Sequence, residues 1–440
     1  MGGFARHLPS YGWDPCVLTI REKNVQGPDY ERLRGLEGLR ILRTNKLPSA
    51  LETYLKVKAV YASIQQRKKI SVSDLEHAYE MARTDSIDNS KTASQKLKTI
   101  LFSFLTLPDS ERSWVFCAFL SAYREIRRSG IRVVLTSSPP HSVQLIGLLL
   151  KKFCRIIWIA DFRDPWLQPL GKRNFPTSRL SLMFENRLEK MVMCSADRVL
   201  TTNQMLTDAL RDSYLSCAAH KFVCITNGYD PEIITLSRNV QKFEKFTIVH
   251  AGTLYLGRTP EPVFSAVREL ISGKRIGGGE IQIKLVGNSD VVDGRSLVKM
   301  ISEYGLEDVV QVEGQVPYPK ALEMISRSHI ALLLAPKQPY QIPAKIYDYI
   351  GCRTEILALT SKGATSQLVD STKSGRNIEP EDIDGIKSFI YNSFTQKEKA
   401  QCLDKKIEGS FNKVNLTGKL ADLLDKCMEN IPVSNFRLSI

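Results

Sequence analysis

Short apolar runs rich in β-branched residues alternate along the chain with longer segments of helical periodicity. This alternation is typical of βαβ units, in which helices connect parallel strands. We predict strands in the first half at 16–20, 131–136, 155–159, 198–202 and 222–226. We predict strands in the second half at 246–251, 281–286, 309–313, 329–335, 355–359 and 375–378. The pattern therefore favours an α/β fold in which each set of strands forms its own doubly wound sheet.

A polar stretch near residues 230–245 separates the two sets of strands. We place the N-terminal domain at 1–240 and the C-terminal domain at 241–440. Residues 31–114 are less regular, with Lys and Arg interleaved among apolar residues, and we interpret them as helices and loops inserted in the first domain. Because doubly wound sheets bind ligands at the carboxyl ends of their strands, polar residues there are the candidates for a site.

Charge is distributed unevenly between the two predicted domains. The 440 residues include 61 Lys and Arg and 47 Asp and Glu, a formal net charge of +14. Residues 1–240 hold 35 of the basic and 23 of the acidic residues, which gives +12 and leaves +2 for the rest. The N-terminal domain should therefore prefer an anionic partner. Nucleic acid, an acidic lipid surface and a phosphorylated substrate are all compatible with this charge.

Several classes of protein are excluded by simple patterns. No apolar run approaches the roughly 18 residues of a membrane-spanning helix, and the first residues lack the apolar core of a secretory signal. The nine cysteines form no Cys-x-x-Cys pair, which argues against a zinc module and against a disulfide framework. We expect a cytoplasmic protein with reduced thiols.

Seven short segments, in sequence order, carry a resemblance to a known family. They are Tyr-Gly-Trp-Asp-Pro-Cys-Val-Leu-Thr at 11–19, Pro108-Asp109 with Trp114, Ser-Ser-Pro-Pro at 137–140, Asp-Phe-Arg-Asp-Pro-Trp at 161–166, Thr-Asn-Gly-Tyr-Asp at 226–230, Ala-Gly-Thr-Leu-Tyr at 251–255 with Arg258, and Pro-Ala-Lys-Ile-Tyr-Asp-Tyr at 343–349. Together they resemble GT-B glycosyltransferases of the group-one, or family-four, kind, in the subset with the Asp-Phe-Arg-Asp-Pro-Trp motif.

The resemblance implies two Rossmann-like domains facing across a cleft, with the nucleotide sugar bound by the C-terminal domain and the acceptor by the N-terminal one. A final helix within 397–430 would cross back towards the first domain. Most relatives retain the anomeric configuration and need neither metal nor cofactor. The only Asp-x-Asp, Asp382-Ile-Asp384, lies in an acidic loop, so we interpret it as a solvated turn rather than a metal site.

The donor site is predicted after the strand at 246–251. Without a side chain, Gly252 would let backbone N–H groups, including that of Thr253, approach a phosphate. By the resemblance, Arg258 and Lys345 hold the diphosphate. Gly252 as a simple turn and Arg258 as a surface helix cap are the structural alternatives. The resemblance also assigns the base to the backbone of Gln315 and Val316.

Two positions depart from the family pattern. The family places Glu three residues after the lysine, where two oxygens bind the ribose hydroxyls, and here the residue is Asp348, which is one methylene shorter. The first Glu of the Glu-x7-Glu pattern falls at Tyr340, which cannot act as a carboxylate.

The acceptor side is predicted around the Asp-Phe-Arg-Asp-Pro-Trp motif, whose charged groups should face the mouth of the cleft. Asp161 or Asp164 would bind acceptor hydroxyls or assist proton removal, and Arg163 would bind a phosphate. The structural alternative is an Asp–Arg pair that locks the loop, with Trp166 in the core. His141 is either a substrate contact or a solvent-facing residue at a helix start.

The beginning of the chain also differs from the family. Relatives start with a strand and a Gly-rich loop, whereas Gly2 and Gly3 resemble only the tail of that acceptor-side loop, so the N-terminal domain lacks its first strand. We expect that the natural start lies upstream. His250, inside a strand, is interpreted as a satisfied buried histidine.

The leading hypothesis is a retaining, metal-independent glycosyltransferase. It would move a sugar from a nucleotide-diphosphate sugar to a saccharide or lipid-linked acceptor in cell-surface polysaccharide biosynthesis. The basic N-terminal domain would contact the anionic inner face of the cell membrane, and nucleic acid is not expected as a partner because no reader motif accompanies the basic residues. The alternatives are a non-catalytic GT-B binding protein and a nucleotide-sugar epimerase on the same fold.

Overall fold

The computed structural model describes residues 2–22, 36–49, 53–54, 107–167, 179–238, 240–254, 257–288, 290–397 and 409–429. Backbone contacts divide the chain into two units. The first comprises Met1–Thr202, Leu206–Cys224 and Ala421–Ile440, and the second comprises Asn203–Met205 and Ile225–Leu420. Residues 225–240 thus group with the second unit. Most of the predicted insertion, at 55–106, and Tyr255 of the sixth motif lie outside the described residues.

The first unit contains two parallel sheets. Its strands are β1 Cys16–Ile20, β2 Arg40–Thr44, β3 Val133–Ser138, β4 Ile157–Phe162, β5 Arg198–Thr201 and β6 Phe222–Cys224. Strands β1 and β2 pair with each other, and the second sheet has the order β3-β4-β5-β6. The expectation of one sheet for this set is therefore wrong for the described residues, in which no strand joins β1 to β3.

Strand β2 lies in the segment that we interpreted as helices and loops, and it corrects that interpretation. It pairs in parallel with β1 over all five of its residues. Arg40 and Arg43 are exposed, whereas the residues between them are half-buried. Arg40 forms a 2.7 Å ion pair with Glu125. The two arginines are three residues apart, so they lie on opposite faces of the strand and interrupt its apolar pattern on both.

Helices connect and cover these strands. They are α1 Gly2–His7, α2 Val115–Ser129, α3 Val143–Phe153, α4 Arg179–Ser195 and α5 Gln204–Ser213. Helix α2 packs against β1, β2 and α3, and α3 packs against β3, β4 and α4. Every residue of β4 is buried, as expected for a central strand between covered faces. The strand-end loops of β3 and β4 are thus held by a rigid layer.

The second unit contains one six-stranded parallel sheet. Its strands are β7 Phe246–Ala251, β8 Ile281–Val286, β11 Val310–Glu313, β12 Ile330–Leu334, β13 Glu355–Leu359 and β14 Gly375–Ile378, and a short hairpin is formed by β9 Val291–Val292 and β10 Arg295–Ser296. The order in the sheet is β11-β8-β7-β12-β13-β14. This is the Rossmann order, in which the winding direction reverses between β7 and β12.

Helices lie on both faces of this sheet. They are α6 Pro231–Arg238, α7 Glu261–Ser272, α8 Leu297–Glu303, α9 Tyr318–Arg327, α10 Lys345–Gly351, α11 Ala364–Thr372 and α12 Ile383–Thr395. A further helix, α13 Lys413–Glu429, begins among residues of the second unit and ends among those of the first. Alternate residues of β7 enter two separate apolar clusters, one with Phe246 and Ile248 and the other with Val249. A doubly wound α/β architecture is therefore confirmed for this unit. None of the described helices is both long and apolar enough to cross a membrane.

Candidate functional site

The first candidate site lies where the second unit's sheet changes its winding direction. Only two residue pairs, Ile330 with Ile248 and Ala331 with Val249, join β12 to β7. Beyond them the strands run on to their carboxyl ends, where β7 is followed by Gly252 and β12 by the loop that leads to α10. Such switch points are where doubly wound sheets bind ligands.

Gly252 and Lys345 lie against each other at this point. A Cβ atom on Gly252 would lie 2.4 Å from Lys345 Nζ, and the backbone of Gly252 has φ +132°, a conformation that side chains disfavour. The neighbouring Gly287, at φ +125°, is equally constrained, because its Cβ would lie 2.9 Å from the backbone of Gly252. The two glycines leave the space that the lysine ammonium enters.

Burial and the nearby Arg258 guanidinium lower the pKa of Lys345 to about 7. Its Nζ lies 3.4 Å from His250 Nε2. His250 is fully buried, and its Nδ1 lies 3.0 Å from the carbonyl of Leu332, which can only accept, so Nδ1 carries the hydrogen. Burial and the Lys345 ammonium hold the pKa of His250 well below its ordinary value, so the imidazole is neutral.

Among the described residues, no Asp or Glu pairs with Lys345. A half-buried cation beside a second cation raises the local positive potential, and an anion that enters the site relieves it. The arrangement is therefore suited to binding an anionic group. The interpretation of His250 as a satisfied buried residue agrees with its contacts, although its contact with Lys345 was not foreseen.

Arg258 is positioned by the loop between β12 and α10. One guanidinium nitrogen donates to Gln338 Oε1 at 3.2 Å. The loop is held by the start of α11, where Ala364 N donates to Pro339 O at 2.7 Å. Tyr340, which replaces the first Glu of the family pattern, lies half-buried in this loop. The loop thus keeps a defined conformation next to the cations without a carboxylate at that position.

Asp348 lies one helical turn after Lys345, on the same side of α10. It accepts a 2.8 Å hydrogen bond from the Tyr318 hydroxyl. Tyr318 follows Gln315 and Val316 by a few residues, and Val316 packs against the same apolar cluster as α10. Gln315 and Thr253 are exposed. The structure thus connects Asp348 to the segment that follows β11 and leaves the backbone after β7 accessible.

The acidic pair after β14 has structural partners. Asp382 Oδ1 accepts from Gly385 N at 2.8 Å at the start of α12, and Asp384 pairs with Lys387 at 2.6 Å. Within the part of the chain that the structure describes, no group of three His, Cys, Asp or Glu side chains could hold a metal ion. Both aspartates therefore belong to the capping of a helix.

The second candidate site lies at the ends of β3 and β4 in the first unit. Asp161 is fully buried, which corrects the expectation that it faces an open mouth. Its Oδ2 accepts from Arg163 Nε at 2.8 Å and from Ser137 Oγ at 2.6 Å. Arg163 also lies 5.1 Å from the ring centroid of Phe4. The Asp–Arg pair that locks the loop is thus present, and it fixes the guanidinium.

Helix α1 reaches this site through Phe4. The helix begins at Gly2, so Gly2 and Gly3 form its first turn rather than the tail of a loop. Gly2 is exposed and Gly3 is half-buried. The phenylalanine that follows them lies against the Arg163 guanidinium.

His141 packs on the motif's tryptophan instead of facing solvent. Its ring stacks on Trp166 with 5.2 Å between centroids and 6° between planes. Trp166 is fully buried, as the structural alternative predicted. The turn beside His141 is held by Asp109, whose carboxylate accepts from Ser142 N and Ser142 Oγ at 2.8 and 2.7 Å. Asp164 is half-buried, so the motif's second carboxylate is the more accessible one.

Comparisons with known proteins now bear on the fold. No protein-family model matches the sequence, and no curated protein matches it. Solved structures do match. A glycosyltransferase from Rickettsia africae is 12% identical, with coverage of 98% of this chain and 94% of its own and a TM-score of 0.59. Sucrose-phosphate synthase from Thermosynechococcus elongatus is 15% identical, with coverage of 97% and 92% and a TM-score of 0.62.

A third structure, Anabaena HepE in complex with UDP, is 15% identical over 70% of this chain and 82% of its own, with a TM-score of 0.54. The chain has the GT-B fold. At these identities the likeness shows the fold alone. It confirms the predicted α/β class with Rossmann-like sheets, and it leaves the assignment to the Asp-Phe-Arg-Asp-Pro-Trp subset as a prediction.

Within this GT-B fold, the sequence pointed to residues proposed to bind a ligand. It did not point to the residues that hold those side chains and loops in place. Tyr349 is one of them: its buried hydroxyl lies 3.3 Å from both Ala251 N and Leu332 O. Tyr318 and Gln338 are the others. A signal existed for Tyr349, because a residue four positions after Lys345 shares its side of the helix. Gln338 lies in an irregular loop, for which the sequence offers no such signal.

Proposed function

We propose that the chain is a glycosyltransferase that moves a sugar from a nucleotide-diphosphate sugar to a saccharide or lipid-linked acceptor. The observation that carries the proposal is the Lys345 ammonium held against Gly252 at the switch point. Negative charge grows on the diphosphate as the sugar leaves, and prepositioned cations stabilise that charge. The UDP in the HepE complex supports a nucleotide diphosphate as the ligand class.

The donor would be bound by the second unit. The backbone N–H of Thr253 would approach the phosphates, whereas that of Gly252 donates to Val286 O at 2.7 Å. Arg258 adds a second cation beside Lys345. Asp348 would accept from the ribose hydroxyls, and the Tyr318 hydroxyl fixes the orientation of its carboxylate. The backbone of two further residues would contact the base, namely Gln315 and Val316.

The acceptor would be bound by the first unit at the ends of β3 and β4. Arg163 is half-buried and oriented by Asp161, so it can bind an anionic group of the acceptor. We assign Asp161 this positioning role. Asp164, the more accessible carboxylate, would accept a hydroxyl proton, and His141 with the first turn at Gly2 and Gly3 would border the acceptor.

We extend the proposal, on the family resemblance, to retention of configuration, to a reaction without metal or cofactor, and to cell-surface polysaccharide biosynthesis. We also propose a cytoplasmic location with peripheral contact to the anionic inner face of the membrane. The support for this contact is the charge of +12 on residues 1–240. Nucleic acid is not part of the proposal.

Calorimetry with the full chain tests the donor site. UDP, GDP, ADP and their glucose or mannose conjugates are titrated into the protein, and we expect one of the nucleotides to bind with a Kd in the micromolar range. Lys345→Ala should weaken that binding at least tenfold, whereas Lys299→Ala, at an exposed position of α8, should not change it. Failure of every nucleotide to bind would refute the proposal.

Tyr340 favours one alternative, a non-catalytic GT-B protein that binds a nucleotide sugar without transferring it, because no carboxylate stands at that position. Binding without turnover on any saccharide or polyprenyl-diphosphate acceptor would support this alternative. The epimerase alternative predicts that the donor is converted without an acceptor. NMR of the sugar released from the donor distinguishes it from transfer.

A further inference from the structure

Helix α4 directs four of its apolar residues outward. Leu180, Met183, Phe184 and Met191 are 49%, 65%, 49% and 46% exposed. At 100° per residue these four side chains fall within an arc of roughly 100°. An amphipathic helix at the surface of a domain normally turns such an arc to the core. In α4 the arc faces away from the domain.

The side of α4 that faces the domain holds two carboxylates beside the buried Val192 and Met193. Glu185 and Glu189 are 2% and 1% exposed. Glu189 accepts a 2.6 Å hydrogen bond from the Tyr214 hydroxyl, and burial raises the pKa of this carboxyl to about 7. Polar contacts of this kind fix the rotation of the helix about its axis. The outward direction of the apolar arc is therefore built into the packing of α4.

The exposed charges of α4 are all basic. Its five charged residues are the two buried glutamates together with Arg179, Arg187 and Lys190, and these three are exposed. Arg187 falls inside the apolar arc and the other two lie beside it. A surface that combines exposed apolar side chains with cations and no exposed carboxylate is complementary to an anionic lipid surface.

The neighbouring helix repeats this combination. Helix α3 packs against α4. It ends in Phe153, whose side chain is 58% exposed and lies beneath the Lys152 ammonium, 5.7 Å from the ring centroid. The basic and apolar character thus extends beyond one helix of the layer.

We propose that the α4 face, formed by Leu180, Met183, Phe184, Arg187 and Met191, docks the protein on an anionic phospholipid surface. This proposal rests on the membrane contact proposed above and assigns it to particular residues. Apolar side chains would enter the boundary between headgroups and acyl chains, and the basic side chains would remain with the headgroup phosphates.

The size of the face favours a bilayer over a second copy of the chain. Four half-exposed apolar side chains offer on the order of 400–500 Å², about half of the roughly 800 Å² per partner of a standard protein interface. The face is also a convex ridge with a cation inside it, and two such ridges would bring like charges together. A lipid surface adapts its shape to a ridge and supplies the opposite charge.

Vesicle co-sedimentation of the full chain tests this proposal. Vesicles of phosphatidylcholine alone and of phosphatidylcholine with 40% phosphatidylglycerol are used at about 50 and 300 mM NaCl. We expect binding to the anionic vesicles that weakens with salt. Met183→Glu combined with Phe184→Glu should weaken it at least tenfold, and Arg187→Gln combined with Lys190→Gln should weaken it on the anionic vesicles alone.

A matched control is Val298→Glu, which makes the same change at a 70% exposed position of α8 in the second unit, and it should leave vesicle binding unchanged. Nucleotide binding, measured on the same variants, should not change, so failure of this proposal is distinguishable from failure of the donor site. Equal vesicle binding by the α4 variants and the control would overturn the proposal. A concentration-dependent dimer that the α4 variants abolish would also overturn it and would assign the face to a second copy.

Discussion

Nucleotide binding at Lys345 should take up a proton. At pH 8, one pH unit above a pKa of about 7, roughly nine in ten molecules carry a neutral amine at this position. A bound diphosphate favours the ammonium and raises the pKa of Lys345. We therefore expect the affinity of the wild-type protein for its nucleotide to fall as the pH rises above 7, most steeply between about pH 7 and 9.

The magnitude follows from the burial of the ammonium. At 1.36 kcal/mol per pH unit, lowering the pKa from 10.5 to about 7 corresponds to about 5 kcal/mol of unfavourable free energy for the charged form. A diphosphate that restores half of this free energy gains about 2.4 kcal/mol, which is an affinity factor of roughly 50. Lys345→Met, which keeps the side-chain length and removes the charge, should lose about this factor at pH 6.5.

Lys345 should also make the stability of the free protein depend on pH. This stability should rise with pH, whereas the nucleotide affinity falls. Below pH 7 the lysine is charged in both the folded and the unfolded states, so the free protein bears the full burial cost. That cost disappears as the pH rises from about 7 towards 10.5, because the folded state then binds fewer protons than the unfolded state. Lys345→Met should thus unfold at higher urea concentration than wild type at pH 6 and at a similar concentration near pH 10.5.

Calorimetry at pH 8 in phosphate and in Tris measures the proton uptake, because the two buffers differ in ionisation enthalpy. We expect an uptake approaching one proton for wild type and for Lys299→Met, and none for Lys345→Met. The reasoning is refuted if wild type takes up no proton. It is equally refuted if the methionine variant keeps the pH dependence of wild type.

Three further outcomes are expected. Gly252→Ala should fold but bind nucleotide at least tenfold more weakly in calorimetry, because its Cβ would lie 2.4 Å from Lys345 Nζ; unchanged affinity would contradict this. Asp161→Asn should lower the free energy of unfolding in urea by about 3 kcal/mol, because it breaks a buried ion pair, and should spare nucleotide affinity. The Cys194 and Cys217 sulfurs lie 2.6 Å apart, so the thiol oxidant diamide should join them in a disulfide, with loss of two protons and two electrons to diamide. Peptide mapping without reductant shows the link, and Cys217→Ser should abolish it.

The strands of the second unit were predictable in position and extent. The predicted strands at 246–251, 281–286, 355–359 and 375–378 have the observed bounds. For the first three, the physical reason is that central strands of a parallel sheet are buried on both faces, so they are largely apolar runs with clear ends. The fourth, β14, lies at the edge of the sheet and is not such a run. Strand β2 escaped prediction because an edge position lets Arg40 and Arg43 interrupt the run.

The candidate sites were predictable in location but not in detail. The strand-end rule identified Gly252 and Asp161, and the family resemblance identified Lys345. The rule expected Asp161 to face outward, because it carries no information on ion pairs. The contact of Gly252 with Lys345 joins residues 93 positions apart, which only the sheet order brings together. Helix α4 shows the limit most clearly, since helical periodicity gives no sign that Glu185 and Glu189 are buried.

Side chains take over the role of the backbone where β7 and β12 diverge. After two paired residues, the carbonyl of Leu332 lies within hydrogen-bonding distance of His250 Nδ1 and of the Tyr349 hydroxyl. The Leu332 carbonyl in the opening between the strands therefore has hydrogen-bond partners before any ligand arrives. A ligand entering there does not have to break a ladder, and the two strands gain nothing by closing on each other when it leaves. The empty and occupied states can share one backbone, so turnover at this end of the sheet would require no refolding of the strands.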